Sequence, residues 1–474
     1  MLFPTTVFAI FFLVVFTGGW LLIRQRQWWS LFMLLASYIF YGWWDWRFLG
    51  LIVFCTVFNH AAALLLVRHP VPAVHRVILW VTVAINLGLL GFFKYYRFFV
   101  MSAYSACGQL GIDCSLPFLE IVLPVGISFF TFQAMSYVID VYRKDIPPAD
   151  NVIDFATYLA FFPQLVAGPI VRASDFLPQI RRPVDMGRVD TGAAAVLILG
   201  GFFKKVVLAN MLAKTLVDPV FAYPEDYGAL DVLLGVYGYA AQIYCDFSAY
   251  SDIAIGAALL LGIRFPANFN APYVAGSFRD FWRRWHISLS SWLRDYLYIP
   301  LGGSRAGNWV THRNLMLTFL LGGLWHGANW RFVVWGALHG SYLVAERQLG
   351  RWLPAYTGSN RLLRALLRMG SILVVFHGVC LSWIFFRAET FADAWQLIVN
   401  LADWRPSELA SVSAVVLLLG GLAAQVLDGD RMVPAARWFN RQHVVVQGLL
   451  AALILTVILG LGPQGVAPFI YFQF

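Results

Sequence analysis

One histidine lies in a position where its side chain could take part in proton transfer. His326 lies within the apolar stretch from Leu315 to Trp330, which contains no other ionisable residue. Removing an ionisable side chain from water costs free energy, so such a residue in a membrane helix is a candidate functional residue. Glycines at positions 322, 323 and 327 leave room for another group to approach the backbone, and Asn329 follows three residues after the histidine. A structural alternative is a histidine that only hydrogen-bonds across a helix interface of small residues.

A second histidine, His286, lies in a stretch rich in arginine and aromatic residues, from Ser277 to Tyr296. A helical period over this stretch predicts a single amphipathic helix with two distinct faces. The polar face consists of Arg279, Arg283, His286, Ser290 and Arg294. The opposite face consists of Phe278, Phe281, Trp285, Leu289, Trp292 and Tyr296. The polar face suits an anionic substrate, and the alternative is an interfacial helix whose arginines contact lipid headgroups.

Other polar residues in apolar surroundings fit structural roles better. Asp246 and Asp252 lie six positions apart, and no second pair of carboxylates completes the oxygen shell that a cation needs. We therefore expect no metal site here, and instead a structural ion pair with Arg283 or Arg284. Three further histidines with apolar neighbours are expected to be packing residues, namely His60, His339 and His377.

The elements that must position these residues are membrane helices. Of the 474 residues, 60% are hydrophobic and 12% are charged, compared with about 45–50% apolar and about 25% charged in soluble domains. Several apolar stretches approach the roughly 18 residues that a membrane span needs, including Thr6 to Ile23, Val77 to Phe93 and Val445 to Leu461. The first of them has no small-residue cleavage site, so we expect it to remain as a membrane anchor. The sequence therefore predicts an all-α polytopic membrane protein.

The positions of the basic residues predict a topology. The net charge is +9, but Lys and Arg are spread among the apolar stretches and form no basic block that would indicate nucleic-acid binding. Because basic loops are typically cytoplasmic, their alternation with loops that lack Lys and Arg predicts about 12 transmembrane helices, plus re-entrant or interfacial helices, with both termini outside. One outer loop contains Cys107 and Cys114, and the sequence leaves open whether they pair.

The chain is expected to form one membrane domain over residues 1–474, because no hydrophilic stretch is long enough to fold separately. Polar residues and glycines interrupt the apolar pattern in a middle region of about residues 120–346, while the C-terminal helices at about residues 367–474 are plainly apolar. Broken helices at membrane depth are tolerated only where they contact protein or line an aqueous cavity. The middle region is therefore expected to contain the functional site.

Two motifs in this middle region resemble those of a known enzyme family. Phe281 to Leu289 contains the first histidine, and Gly322 to Trp330, about forty residues later, contains the second. Together they resemble the two signature histidine motifs of the membrane-bound O-acyltransferase (MBOAT) family. Similarity to its alginate O-acetylation branch extends over Leu123–Phe129, Tyr137–Arg143, Phe162–Ile170 and Asp246–Asp252. The resemblance covers most of the chain up to about Glu346.

This resemblance implies a funnel-shaped helical bundle, in which a buried histidine meets an acyl donor from one side of the membrane and an acceptor from the other. His326 would be the general base, or alternatively a transient acyl carrier. His286 would orient the substrate or line the tunnel. The implied substrate-binding residues are Arg279, Arg283 and Arg294, which would attract the phosphates of acetyl-CoA, and Asn329, which would stabilise an oxyanion.

The function implied by the resemblance is transfer of an acetyl group from cytoplasmic acetyl-CoA across a bacterial cytoplasmic (inner) membrane, for O-acetylation of an exported polysaccharide such as alginate. Acetyl-CoA would be a co-substrate, and no tightly bound cofactor is expected. A periplasmic or membrane-anchored partner protein would accept the acetyl group before the polysaccharide receives it. The polymer stays open, because relatives that acetylate cellulose or peptidoglycan look similar, and more distant ones that pass D-alanine to teichoic acid share both histidines.

A different class of protein, a secondary transporter with its binding site at the bilayer midplane, would also contain buried His and Asp residues. Two features oppose this interpretation. The two halves of the chain lack an evident pair of corresponding interrupted helices, and the polar residues cluster in one contiguous third. Thioester cleavage that depends on His326 would distinguish the enzyme from the transporter.

Overall fold

The computed structural model describes residues 1, 3–113, 117–166, 168–182, 187, 189–352, 359–427, 429–462 and 469–470, and the regular structure in these ranges is helical, without a strand. Cys114, whose pairing with Cys107 the sequence leaves open, lies outside the described residues. The α-helices are α1 Thr6–Leu22, α2 Arg26–Gly42, α3 Leu49–Arg68, α4 Pro72–Leu90, α5 Tyr96–Gln109, α6 Ile127–Arg143, α7 Val152–Ala160, α8 Phe162–Leu165, α9 Ala173–Ile180, α10 Thr191–Phe202, α11 Asn210–Leu212, α12 Asp218–Ala222, α13 Ala229–Leu260, α14 Phe278–Trp282, α15 Ile287–Leu293, α16 Asn308–His326, α17 Trp330–Trp352, α18 Arg361–Arg387, α19 Phe391–Asn400, α20 Val412–Ala423, α21 Val433–Asn440 and α22 Val444–Leu461.

Several helical segments of the described chain are long and apolar enough to cross a membrane. These six segments are Trp46–Arg68, Pro72–Gln109, Thr191–Ala222, Ala229–Leu260, Arg361–Arg387 and Val444–Leu461. The last has a mean hydropathy of 2.6 and only 6% of it is buried by protein, so its exposed apolar side chains require lipid around them. The predicted all-α membrane protein is confirmed, while the count of about 12 spans stays a prediction.

The chain divides into two compact units. The first consists of Met1–Asp190 with Ala257–Pro266, and the second of Thr191–Gly256 with Ala267–Phe474. The second unit contains both candidate histidines and all the arginines predicted to bind substrate. The expectation of one functional domain over residues 1–474 stays a prediction.

In the first unit, aromatic packing and one buried amide pair hold the helices together. The ring of Phe162, at the start of α8, lies 5.4 Å from that of Phe40 and 5.2 Å from that of Phe11. Asn59 of α3 and Asn86 of α4 exchange side-chain hydrogen bonds of 3.2 and 2.8 Å. Each buried amide therefore finds its partner on the neighbouring helix, which avoids the cost of an unpaired polar group.

In the second unit, α16 and α17 pack with their backbones in direct contact. A Cβ atom on Gly323 would lie 2.1 Å from the carbonyl oxygen of Phe332, and one on Gly336 would lie 2.2 Å from the carbonyl oxygen of Phe319. A Cβ on Gly327 would lie 2.0 Å from the Phe332 ring. The glycines at positions 323 and 327 therefore allow α17 to approach the backbone of α16. This close packing fixes the position of α16, which ends in His326.

The second unit also contains two Lys–Asp ion pairs, one partly buried and one fully buried. Lys204 lies 2.6 Å from Asp252, and Lys205 lies 2.6 Å from Asp246. The structural ion pair predicted for these aspartates is therefore confirmed, but the predicted partners, Arg283 and Arg284, are wrong. Arg284 instead pairs with Asp280 one helical turn earlier, at 2.9 Å. The lysines lie on the helical segment Thr191–Ala222, and the aspartates lie on α13. Because the two segments are distant in the chain, no local spacing in the sequence indicates this pairing.

The predicted continuous helix from Ser277 to Tyr296 is wrong. The structure has a short helix α14, a break at Arg283–His286, a second short helix α15 and then a π-helical turn from Arg294 to Tyr298. His286 adopts a left-handed backbone conformation, with φ of +42° and ψ of +56°. This conformation cannot continue a right-handed helix, and the sequence around it contains neither Gly nor Pro to mark the break.

Candidate active site

The two candidate histidines lie close together in the second unit. The ring centroids of His286 and His326 are 6.5 Å apart, and the two residues are 0% and 4% exposed. His326 is the last residue of α16, and its ring makes edge contacts with Trp335 of α17, at 4.9 Å, and Phe386 of α18, at 5.4 Å. Three helices therefore fix this imidazole in an aromatic environment.

A cavity of about 510 Å³ opens beside His326. Its apolar wall comes mainly from α15, α16 and α17, and includes Trp282, Leu293, Phe319 and Trp335. Its polar wall consists of Arg279, Arg283, Arg294, Arg347, Ser290, Ser291, Ser304, Thr318, Tyr298 and His326. The volume falls in the range of small-molecule sites, roughly 300–1,000 Å³.

The charge of the cavity wall has one sign. Four arginines line it, and none of the described lining residues is an Asp or Glu. Arg294 Nε lies 2.7 Å from Asp295 Oδ1, and the Arg294 side chain is 63% exposed. An arginine-lined pocket with apolar walls is suited to a ligand with several negative charges, because guanidinium groups form charge-assisted, bidentate hydrogen bonds with phosphate.

The start of α14 is fixed by groups that position Arg279. The Ser277 side chain accepts a hydrogen bond from the Asp280 backbone N–H, at 3.0 Å. The Glu346 carboxylate of α17 accepts from the backbone N–H groups of Phe278, at 2.5 Å, and Arg279, at 3.3 Å. Two caps therefore satisfy the free N–H groups at this helix end, and one of them joins α14 to α17.

His286 itself does not line the cavity. Its ring packs against Phe247 of α13, at 4.6 Å with an edge geometry, and neither ring nitrogen has a hydrogen-bond partner among the described residues. It lies outside the candidate membrane spans, and burial lowers its pKa to about 3. The imidazole is therefore neutral, with one nitrogen able to donate and the other able to accept.

Of the six predicted site residues, the structure gathers four in the cavity wall, namely Arg279, Arg283, Arg294 and His326. Asn329 is not among the lining residues, and its Oδ1 accepts a hydrogen bond from the Arg331 backbone N–H, at 3.0 Å, at the start of α17. The catalytic and binding roles of all six residues stay predictions.

Arg347 lines the cavity but is not among the predicted site residues. It lies on α17 four residues after Leu343, which lines the same cavity, and this spacing places the two side chains on one helix face. Its Nε is buried and has no hydrogen-bond partner in the described part of the chain. No local spacing connects it to His326, because α16 ends at His326 and α17 is a separate helix.

Two of the three histidines expected to be packing residues, His339 and His377, hydrogen-bond to neighbouring helices or to their own helix, and His339 is buried whereas His377 is exposed at the protein surface. His339 Nε2 lies 2.9 Å from Ser382 Oγ. His377 accepts a hydrogen bond from the Tyr237 hydroxyl at Nε2, at 2.8 Å, and lies 2.7 Å from the Leu373 carbonyl oxygen at Nδ1. Among the residues that the structure describes, no group of three His, Cys, Asp or Glu side chains could hold a metal ion.

The fold is that of an integral membrane protein, and its second unit contains an arginine-lined cavity beside a buried histidine. Residues 149–386 match the model of the MBOAT, membrane-bound O-acyltransferase family. The chain therefore belongs to this family and is a membrane O-acyltransferase.

Similar proteins cover the whole chain. It is 39% identical to a probable alginate O-acetylase of Azotobacter vinelandii over 100% of both chains. It is 43% identical to a probable alginate O-acetylase of Pseudomonas aeruginosa, over 90% of this chain and 80% of that protein. A peptidoglycan O-acetyltransferase of Helicobacter pylori is 34% identical, over 87% of this chain and 82% of that protein.

Proposed function

We propose that this protein transfers an acetyl group from cytoplasmic acetyl-CoA through a bacterial inner membrane, for O-acetylation of an exported polysaccharide, with alginate as the first candidate. The observation that carries the proposal is the cavity in which four arginines surround the approach to His326. Coenzyme A carries several phosphate charges on a flexible, partly apolar arm. The arginines supply the complementary charge, and the apolar wall accommodates the arm.

The chemistry requires a base, because a hydroxyl group is a poor nucleophile near neutral pH. In the proposed step, the acceptor O–H gives its proton to the His326 imidazole while its oxygen attacks the thioester carbonyl carbon. The tetrahedral intermediate then collapses, the carbon–sulfur bond breaks, and the proton leaves with the CoA thiolate as a thiol. One ester forms and one thioester is lost, so no oxidant or metal is needed.

The surroundings of His326 favour this role. The residue is 4% exposed, and its ring is packed against Trp335 and Phe386. The same packing restricts the ring to one orientation at the cavity wall. A fixed base beside a bound thioester supplies the proximity on which such a reaction depends.

Delivery to the acceptor is the second part of the proposal. Acetyl-CoA is a cytoplasmic metabolite, whereas an exported polymer is modified on the other side of the membrane. A periplasmic or membrane-anchored protein with a nucleophilic hydroxyl would receive the acetyl group from this enzyme and pass it to the sugar. The similarity to alginate O-acetylases over the full chain makes alginate the favoured polymer over peptidoglycan.

Acetyl transfer to defined acceptors tests the polymer. Proteoliposomes with the full chain and a candidate partner would receive labelled acetyl-CoA on one side and alginate oligosaccharide, cellulose oligosaccharide or peptidoglycan fragments on the other. We expect label on alginate. Label only on peptidoglycan would reassign the polymer, and counterflow of an unmodified solute without CoA release would favour the transporter.

A further inference from the structure

The backbone at His286 is held in an unfavourable conformation. Its φ of +42° lies in the left-handed region, which non-glycine residues avoid because Cβ approaches the carbonyl oxygen. The side chain adds a second cost, since the residue is 0% exposed and neither ring nitrogen has a partner in the described part of the chain. Such a conformation persists only where its surroundings determine it.

Asn268 supplies those surroundings. Its carbonyl oxygen accepts a hydrogen bond from the Ile287 backbone N–H, at 2.9 Å. Its side-chain Oδ1 accepts from both the backbone N–H and the hydroxyl of Ser288, at 3.2 and 2.8 Å. One buried asparagine therefore binds both residues that follow His286 and fixes the direction of the chain as it leaves the left-handed turn.

Helix α13 supports this asparagine and the histidine ring from the same face. Asn268 Nδ2 donates to Ser251 Oγ, at 3.0 Å. Phe247, one helical turn earlier on α13, makes the edge contact with the His286 ring at 4.6 Å. Residues four apart lie on one face of a helix, so α13 fixes the asparagine and the imidazole together.

We infer that Asn268 is a positioning residue for acyl transfer, acting through His286. Asn268 hydrogen-bonds to the turn and to Ser251 of α13. It is 1% exposed and does not line the cavity. Asn268 therefore fixes the backbone of the turn that carries the His286 ring. The centroid of this ring lies 6.5 Å from that of the His326 ring. This inference rests on the proposed function, because its effect is measured on acyl transfer.

The test compares kcat and KM for acetyl-CoA in the full-length protein and its Asn268→Leu variant. Leucine has a similar size but removes the three side-chain hydrogen bonds. We expect kcat to fall by about 100-fold, the size of loss that a 1 Å displacement near the reaction can cause. We expect KM for acetyl-CoA to stay within about twofold, because the cavity arginines are unchanged.

The matched control is Asn86→Leu, which removes a buried amide pair in the other unit. It should lower the melting temperature while the folded protein keeps its kcat. If Asn268→Leu does not fold, Ser288→Ala is the deciding variant. It removes the hydroxyl that donates to the same Oδ1, and it should lower kcat several-fold at unchanged KM. The inference is overturned if the folded Asn268→Leu variant keeps the wild-type kcat, or if its KM rises and its kcat does not fall. If Asn268→Leu does not fold, the same two results in Ser288→Ala overturn it.

Failure of the proposed function gives a different result. If the wild-type protein with its partner releases no CoA from acetyl-CoA, the acetyl-CoA proposal fails and the positioning role falls with it. If the wild type is active and Asn268→Leu is equally active, the acyltransfer proposal stands and only the positioning role is lost.

Discussion

The rings of His286 and His326 lie 6.5 Å apart, measured between centroids, although forty residues separate them in the chain. One ring lies at the cavity wall and the other behind it, against Phe247 of α13. The histidines therefore occupy different environments, which supports different roles. We predict that His326 contacts the substrate and that His286 positions the site.

Arg347 should contribute to donor binding. Arg347→Ala should raise KM for acetyl-CoA by about 10- to 100-fold, because one hydrogen bond to a charged group contributes about 1.5–3 kcal/mol. The measurement is initial-rate kinetics of CoA release over a range of acetyl-CoA concentrations. Arg368→Ala, on an exposed part of α18, is the matched control and should leave KM unchanged. An unchanged KM in Arg347→Ala would remove this arginine from the site.

Gly323 should be required for the contact between α16 and α17. An alanine Cβ would lie 2.1 Å from the Phe332 carbonyl oxygen, and we expect a loss of about 1–3 kcal/mol from overpacking. A thermal melt in detergent measures the effect. Gly370→Ala lies in α18 with no atom within 4 Å of the new Cβ, so it should be neutral or stabilising. Equal melting temperatures for both variants would contradict the described packing.

Removing only one member of the buried ion pair Lys205–Asp246 should destabilise the fold more than removing both. The two side chains are each 3% exposed, so Lys205→Met leaves a buried carboxylate without its partner and should cost about 3–5 kcal/mol. The double variant Lys205→Met with Asp246→Leu should recover much of that loss, because no unpaired charge remains. Chemical or thermal unfolding of the three proteins measures both effects. A double variant less stable than the single one would be inconsistent with simple charge pairing.

The proposed base role of His326 predicts that no acetylated protein forms when acetyl-CoA is supplied without an acceptor. Intact-mass and peptide mass spectrometry after incubation with acetyl-CoA alone provide the measurement. His377→Asn, which removes a histidine outside the cavity, serves as the matched control. Acetylation confined to His326 would assign it instead as a transient acyl carrier.

The sequence predicted the parts of the site that depend on local spacing. Arg279, Arg283 and Arg294 were placed on one face by a helical period, and the structure places all three in one cavity wall with His326. The helix is nevertheless broken between them, since Arg279 lies in α14, Arg283 in the break after it and Arg294 at the start of the π-helical turn. The predicted grouping therefore agrees with the structure, while the continuous helix that was its basis does not.

The sequence could not predict features that depend on distant contacts. The left-handed turn at His286 is stabilised by Asn268, a residue eighteen positions earlier that no local pattern connects to it. The aspartates of α13 pair with Lys204 and Lys205 through tertiary packing. Arg347 entered the site through the close packing of α17 on α16, which the glycines permit but do not specify.

The most direct test of the account is CoA release from acetyl-CoA by the purified protein with its acceptor partner, comparing wild type with His326→Ala. The loss of a general base typically reduces the rate by about 10²- to 10⁴-fold. We predict a loss of about 10²-fold or more in a variant that keeps the wild-type melting temperature and the wild-type binding of acetyl-CoA. A folded His326→Ala protein that releases CoA at the wild-type rate would contradict the assignment of His326 as the catalytic residue.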